Sequence, residues 1–286
     1  MIRDFKMSKK NHICFSINKK YLSYVFGCVR AILRYAKEPN NICFVFLLNN
    51  DINEDDIKKL TREVLTDGGL TPLFIYPENE YELHFNLNKG DNVIQAFDQT
   101  IFYRLFLPEL LNADTCLYLD VDIAVCGDIT ELFTIDLGNS YIMGVTDRLW
   151  LEKDFCDQMK KRGIPFGYYV CTGIFMMNLK KFRKDGMTKK MKEFGESRFH
   201  KYLDQDIINY CCHGNALLMN KRFHVFPDDK IEDIEFFRSH IPETKDIFTN
   251  DALTNPIIVH FIGQKKPWNN LNVTYGDLWK KNMFLQ

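Results

Sequence analysis

No C-x-x-C pair occurs among the nine cysteines of this 286-residue chain, which stand at Cys14, Cys28, Cys43, Cys116, Cys126, Cys156, Cys171, Cys211 and Cys212. An odd count without zinc-ligand spacing argues against a disulfide framework or a structural zinc site. Buried free thiols in a reducing compartment are expected instead. Long apolar runs are missing too: the longest, Ile42 to Leu48, has seven residues, against the roughly 20 that span a bilayer as a helix. Met1 to Asn11 is polar and contains lysine, with no apolar stretch before a small-residue cleavage site. A cytoplasmic protein is the expectation. Neither sign of charge is in excess. A net charge of −1 supplies no basic field that demands nucleic acid, so any anionic ligand must be held by local groups. Ser16 to Tyr21, following the first predicted strand, contains no glycine, which counts against the Gly-rich basic loop of a nucleotidyltransferase. No repeat, low-complexity tract or linker divides the chain, and one domain is expected.

What is present suits a large core: 46% of the residues are hydrophobic and 24 are Phe. His12 to Ile17 reads as a strand, and Tyr21 to Tyr35 as a helix with Leu22, Val25, Val29 and Ile32 on one face. Asn41 to Leu48 reads as a strand, Asp51 to Leu65 as a helix with acidic residues in its first turn, and Leu73 to Tyr76 as a short strand. Strand–helix alternation of this kind predicts a parallel, Rossmann-like beginning. A polar loop from Pro77 to Gly90 precedes an amphipathic helix expected over about Asn92 to Leu107. Further strands are predicted at Thr115 to Leu119, Tyr141 to Val145, Tyr169 to Met177 and Pro256 to Phe261, and helices at 151–162, 188–200 and 204–213. Asn178 to Lys201 carries nine Lys/Arg against three Asp/Glu, read as a solvated helix pair or as a face for anionic lipid headgroups.

The strongest chemical signal is Leu117-Tyr118-Leu119-Asp120-Val121-Asp122. In an open α/β sheet, ligands bind beyond the carboxyl ends of the strands. Two carboxylates there are costly unless a cation neutralises them, and hard oxygens suit Mg²⁺ or Mn²⁺. A second signal is His260-Phe261-Ile262-Gly263-Gln264-Lys265-Lys266-Pro267-Trp268. A strand-ending imidazole can ligate the same cation, Gly263 permits close backbone approach to a diphosphate, and Lys266 can neutralise its charge.

With these two segments the chain resembles the family 8 retaining glycosyltransferases, which include lipopolysaccharide α-galactosyl- and α-glucosyltransferases and glycogenin. Three intermediate blocks match in order: Phe102-Tyr103-Arg104-Leu105, Gly173 followed by Asn178-Leu179-Lys180-Lys181, and Asp204-Gln205-Asp206. The resemblance runs from about residue 12 to 268. It implies an α/β GT-A fold around one continuous mixed sheet. Residues 12–125 would form the nucleotide half, 126–270 the donor-sugar and acceptor half, and 271–286 a short tail.

The resemblance also assigns residues. Asp120, Asp122 and His260 match Mn²⁺ (or Mg²⁺) ligands that hold a UDP diphosphate. Ser16, Asn18 and Tyr21 match the uridine loop, and Val121, Gly263 and Lys266 match other nucleotide contacts. Arg104, Asp147, Thr172, Gly173, Asp204 and Gln205 match the surroundings of the donor sugar, with Gln205, Asp204 and Arg104 nearest the chemistry. The uridine loop lacks the family's usual acidic residues, and Cys171 stands where Asn is frequent. The implied reaction is transfer of galactose or glucose from a UDP-sugar to a glycan or glycolipid acceptor in bacterial lipopolysaccharide or another surface glycan, with contact to an anionic membrane and no nucleic acid. A glycogenin-like self-glucosylating protein and a degenerate UDP-sugar-binding scaffold stay open as alternatives.

Overall fold

The computed structural model describes residues 10–68, 70–84, 98–198, 200–270 and 272–284. The alternating opening is present: β1 (Asn11–Ile17), α1 (Leu22–Tyr35), β2 (Ile42–Leu48), α2 (Glu54–Gly68) and β3 (Leu73–Ile75). Leu22, Val25, Val29 and Ile32 are all buried on α1, as their spacing requires. The start of α2 is fixed by a reciprocal cap. Asn53 Oδ1 accepts from the amides of Asp55 and Asp56, while Asp56 Oδ2 accepts from the amide of Asn53, each at 3.1 Å. Strand β2 is apolar at every position, and β1 is apolar from Ile13 to Phe15, because both faces of the sheet are covered. Phe15, Phe44 and Phe46 pack on one side, Cys14, Val45 and Leu47 on the other.

The remaining elements are α3 (Leu107–Leu110), β4 (Cys116–Leu119), β5 (Ile123–Val125), β6 (Ile142–Thr146), α4 (Lys153–Lys161), β7 (Val170–Met177), α5 (Leu179–Lys184), α6 (Met187–Ser197), α7 (Leu203–Cys212), β8 (Ala216–Leu218), α8 (Ile231–His240), α9 (Asp251–Thr254), β9 (Ile258–His260) and α10 (Gly276–Met283). The main sheet has the order β3-β2-β1-β4-β7-β6-β8. Its first four strands run parallel, β7 is antiparallel to both neighbours, and β8 is parallel to β6. The sheet is therefore mixed, as the resemblance implies.

Two expectations need correction. Strand β9 does not join the main sheet; it pairs antiparallel with β5 in a separate two-stranded sheet. The helix expected over 92–107 falls partly outside the described residues. Its described part forms short 3-10 turns, Gln99–Ile101 and Tyr103–Phe106, because the Asp98 carboxylate takes the amide of Thr100 and Arg104 Nε bonds the Ile101 carbonyl. The short tail carries α10, which packs on the fold. Asn282 of α10 is buried and bonds both backbone groups of Val125, at 2.6 and 2.9 Å. Met283 lies so close to Gly27 of α1 that a Cβ there would sit 2.4 Å from its sulfur.

All nine cysteines are free, and five of them are buried. No described helix is long and apolar enough to cross a membrane. Within the basic 178–201 stretch, Arg183 is committed to the carbonyls of Pro108, Leu111 and Ala113. Lys181 and Lys189 face Asp185 and Glu193 four residues on.

Candidate active site

The fifteen residues singled out from the sequence all line one cavity of about 750 Å³ at the carboxyl ends of β1 and β4. Strand pairing explains the meeting. Leu119 ends β4 opposite Ile174 of β7, and the amide of Asp120 continues the ladder to the Gly173 carbonyl at 2.7 Å. Cys171, Thr172 and Gly173 thus flank the first carboxylate. The chain then enters β5, where Ile123 pairs with His260 and the Phe261 amide bonds the Asp122 carbonyl at 2.9 Å. The small second sheet is what carries the distant imidazole to the carboxylate pair.

His260 Nε2 lies 3.2 Å from Asp122 Oδ1 and 3.7 Å from Asp120 Oδ2. One donor atom from each of Asp120, Asp122 and His260 falls within 4.8 Å of the others. Lys266 Nζ closes on Asp122 Oδ2 and donates to the Phe261 carbonyl at 2.5 Å. Burial opposes ionisation of Asp122, but His260 and Lys266 outweigh it and hold the carboxyl well below its usual range. A glycine is required at 173. An added Cβ would stand 2.2 Å from His260 Cε1 and 2.7 Å from Asp120 Oδ2.

A second layer centres on Arg104, 6% exposed. Its guanidinium bonds Asp120 Oδ1 and the Thr172 carbonyl, both at 2.7 Å, and reaches Asp204 Oδ2 at 3.3 Å. Burial works against its charge, and Asp120 and Asp204 overcome that. Asp204 accepts from Thr172 Oγ1 at 3.1 Å. Burial raises its pKa; Arg104 opposes this, Asp120 reinforces it, and the carboxyl is pushed up to about 6. Gln205 is held at both ends of its amide: Oε1 accepts from the Thr172 amide at 3.1 Å and Nε2 donates to Asp147 Oδ2 at 3.0 Å. Burial raises the Asp147 carboxyl, against its bonds from Leu149 and Gln205.

At the other end, Asn18 folds its loop by accepting from the Tyr21 amide at 3.1 Å and donates to Asp98 Oδ2. Asp98 therefore brings a carboxylate to the loop that lacks one in sequence, and it also accepts from Asn49 at 3.3 Å. Lys19 points away, onto buried Asp56 at 2.6 Å.

The cavity also exposes residues that sequence reasoning did not single out: Lys20, Asp98, Leu149, Lys201 and Tyr202. Tyr202 adjoins the Asp204-Gln205-Asp206 block and was findable there. Asp98 was not, because a lone aspartate in a segment read as an amphipathic helix carries no pattern.

The family described as glycosyl transferase family 8 matches residues 12–272. General stress protein A of Bacillus subtilis is 23% identical, covering 91% of this chain and 87% of its own. Glycosyltransferase GlyE of Streptococcus pneumoniae is 22% identical over 92% of this chain, which spans 58% of GlyE. A lipopolysaccharide 1,2-glucosyltransferase of Escherichia coli is 26% identical, covering 61% of this chain and 51% of its own. Among solved structures, the galactosyltransferase LgtC with donor and acceptor sugar analogues superposes at a TM-score of 0.71, with 22% identity and 95% of both chains covered. The bifunctional glycosyltransferase WbbM does so at 0.79, with 19% identity, 98% of this chain and 50% of that one. The fold is GT-A, and the chain belongs to glycosyltransferase family 8.

Proposed function

We propose that this glycosyltransferase transfers galactose or glucose from a UDP-sugar to a sugar acceptor of a bacterial surface glycan, with retention at the anomeric carbon. The observation that carries the reading is the convergence of Asp120, Asp122 and His260 within 4.8 Å of one another. Two hard carboxylates and one imidazole fit Mn²⁺ or Mg²⁺. The absence of a side chain at Gly173 leaves the donor atoms uncrowded. Asp120, Asp122 and His260 would hold the cation, which supplies charge neutralisation for a diphosphate leaving group.

The chain's own residues account for the rest. Asn18 and Tyr21 take the base, with Asp98 fixing the Asn18 amide. Val121 and Gly263 offer backbone close to the nucleotide, Ser16 lies beside it, and Lys266 turns from Asp122 to the diphosphate. Arg104 positions Asp120 and the Thr172 carbonyl. Gln205, locked between Thr172 and Asp147, presents an amide to the sugar where a double displacement would need a carboxylate nucleophile. An amide is a poor nucleophile. Front-face substitution through an ion-pair-like transition state follows, with Asp204 and the Gln205 carbonyl facing the developing positive charge. On this reading residues 12–125 serve the nucleotide and 126–270 the donor sugar and acceptor. The named glucosyl- and galactosyltransferases among the relatives support these two hexoses.

UDP release from UDP-galactose, UDP-glucose and their N-acetyl analogues in the presence of Mn²⁺ tests the donor. Asp122→Asn is expected to abolish it. Unchanged turnover in that variant rejects the assignment of the cation site.

A further inference from the structure

We infer that His224 is the positioning residue that sets which nitrogen of His260 carries the proton, and thereby whether His260 can ligate. The inference rests on the proposed role of Asp120, Asp122 and His260 and concerns a residue outside that set. His224 follows the Lys221–Phe223 turn and is fully buried. Its Nε2 lies 2.8 Å from His260 Nδ1. The two rings sit 5.0 Å apart between centroids, and Phe226 packs on His224 at 4.7 Å.

A neutral imidazole has one N–H and one lone pair. With both rings neutral, two ring nitrogens at hydrogen-bonding distance must therefore divide the roles, and two arrangements exist. In the first, His224 Nε2–H donates to His260 Nδ1. His260 then carries its own proton on Nε2, aimed at Asp122 Oδ1 3.2 Å away. In the second, His260 Nδ1–H donates to His224 Nε2, and a lone pair on His260 Nε2 faces Asp120 and Asp122. Only the second can bind a cation. His224 Nδ1 makes no close hydrogen bond among the described residues, but the Ile174 backbone carbonyl acts on the ring as an acceptor. A proton on Nδ1 is thereby favoured, His224 Nε2 is left to accept from His260 Nδ1–H, and the pair is biased to the arrangement that can ligate. A carbonyl in place of His224 would freeze the second arrangement; an apolar side chain would remove the partner and leave a buried His260 nitrogen unpaired. Partners of this kind orient the ligand and typically contribute 10- to 100-fold in metal affinity.

The test measures Mn²⁺ affinity in the presence of UDP, by electron paramagnetic resonance of free Mn²⁺. His224→Phe keeps the ring volume and removes the nitrogen; a loss of about 10- to 100-fold is expected, with UDP affinity in the absence of metal unchanged. His224→Asn, whose carbonyl can accept from His260 Nδ1, is expected to restore affinity close to the wild type. Nitrogen NMR of the histidine-labelled wild-type protein supplies a readout that needs no variant. With Mg²⁺ and UDP bound, His260 is expected to carry its proton on Nδ1, donated to His224 Nε2. Wild-type Mn²⁺ affinity in His224→Phe, or a His260 proton on Nε2 in the loaded wild type, overturns the inference. Asp122→Asn separates the two levels. If that variant loses Mn²⁺ while His224→Phe keeps it, this inference alone fails; if both keep it, the cation site fails and takes the inference with it.

Discussion

Gln205 is the residue whose placement makes the sharpest claim. Its amide is fixed by the Thr172 amide on one side and Asp147 on the other, so its removal leaves the nucleotide end of the cavity untouched. Gln205→Ala is expected to lower kcat by roughly 100-fold, the cost typical of one preorganised polar group at the reacting centre. UDP affinity should stay near the wild-type value. Loss of UDP binding, measured by calorimetry, moves Gln205 out of the sugar subsite. Asp204 yields a prediction of another kind. Its carboxyl sits at about 6 in the folded, metal-free protein, against roughly 3.9 in an unfolded chain. The folded state therefore holds the extra proton between these values, and stability from this group falls as pH rises from 4 to 6. Above pH 6 the penalty is complete, on the order of 3 kcal/mol. Asp204→Asn removes that slope. Urea unfolding of both proteins at pH 4.5 and 7 checks it: the variant should gain on the wild type at the higher pH, and parallel behaviour contradicts the burial argument. At this scale the sequence was readable where chemistry coincided with a strand end. Asp120 and Asp122 follow a strand buried at every position, and a carboxylate pair there is conspicuous. Asp98 and His224 had no such marker, because their significance lies in a partner 80 and 36 residues away.

Among the elements, the legible ones are those long enough to show a period. α1 and β2 have 14 and seven residues, and their patterns of burial could be written down in advance. β5, β8 and β9 have three residues each, too few for any periodicity, and which strand each pairs with is decided by tertiary contacts. The consequence is large, because the β5–β9 pair is what delivers His260 to Asp122. That pair is braced from outside by α10. Asn282 takes both the amide and the carbonyl of Val125 in a buried setting, and Trp279 packs with Ala124, Val259 and Phe261. Asn282→Ala strands one buried donor and one buried acceptor, at a cost of about 1–3 kcal/mol each before relaxation. The expected outcome is a lower denaturant midpoint together with weaker Mn²⁺ binding, since β5, the strand on which the His260 strand pairs, loses its support. A destabilised variant with unaltered Mn²⁺ affinity would show that α10 braces the fold but not the site.

Across the whole molecule, the strand order sets where a ligand can sit. β1 and β4 are parallel neighbours at the middle of the sheet, and the direction reverses at β7. The strand order runs outward from β1 to β3 on one side and starts again at β4 on the other. The topological switch therefore lies between β1 and β4, beside Asp120, the position at which open α/β sheets take their ligands. A cavity assembled from β1, β4, β7, the start of α7 and the loop after β9 joins segments from Ser16 to Lys266, so its occupation links parts of the chain that are far apart in sequence. Binding that is confined to the folded state stabilises it by mass action, about 2.7 kcal/mol at a ligand concentration 100 times Kd. For a chain of this size that corresponds to a rise in Tm of roughly 5 °C. Thermal unfolding with UDP and Mn²⁺ together is expected to show this rise, chelation to reverse it, and UDP alone to produce much less. The comparison must be made within each variant, because Asp122→Asn also removes the contacts to Lys266 and His260 and shifts the starting Tm. Within Asp122→Asn the increment from UDP and Mn²⁺ should vanish. An increment equal to that of the wild type would mean that nucleotide and cation meet somewhere other than the carboxyl end of β4.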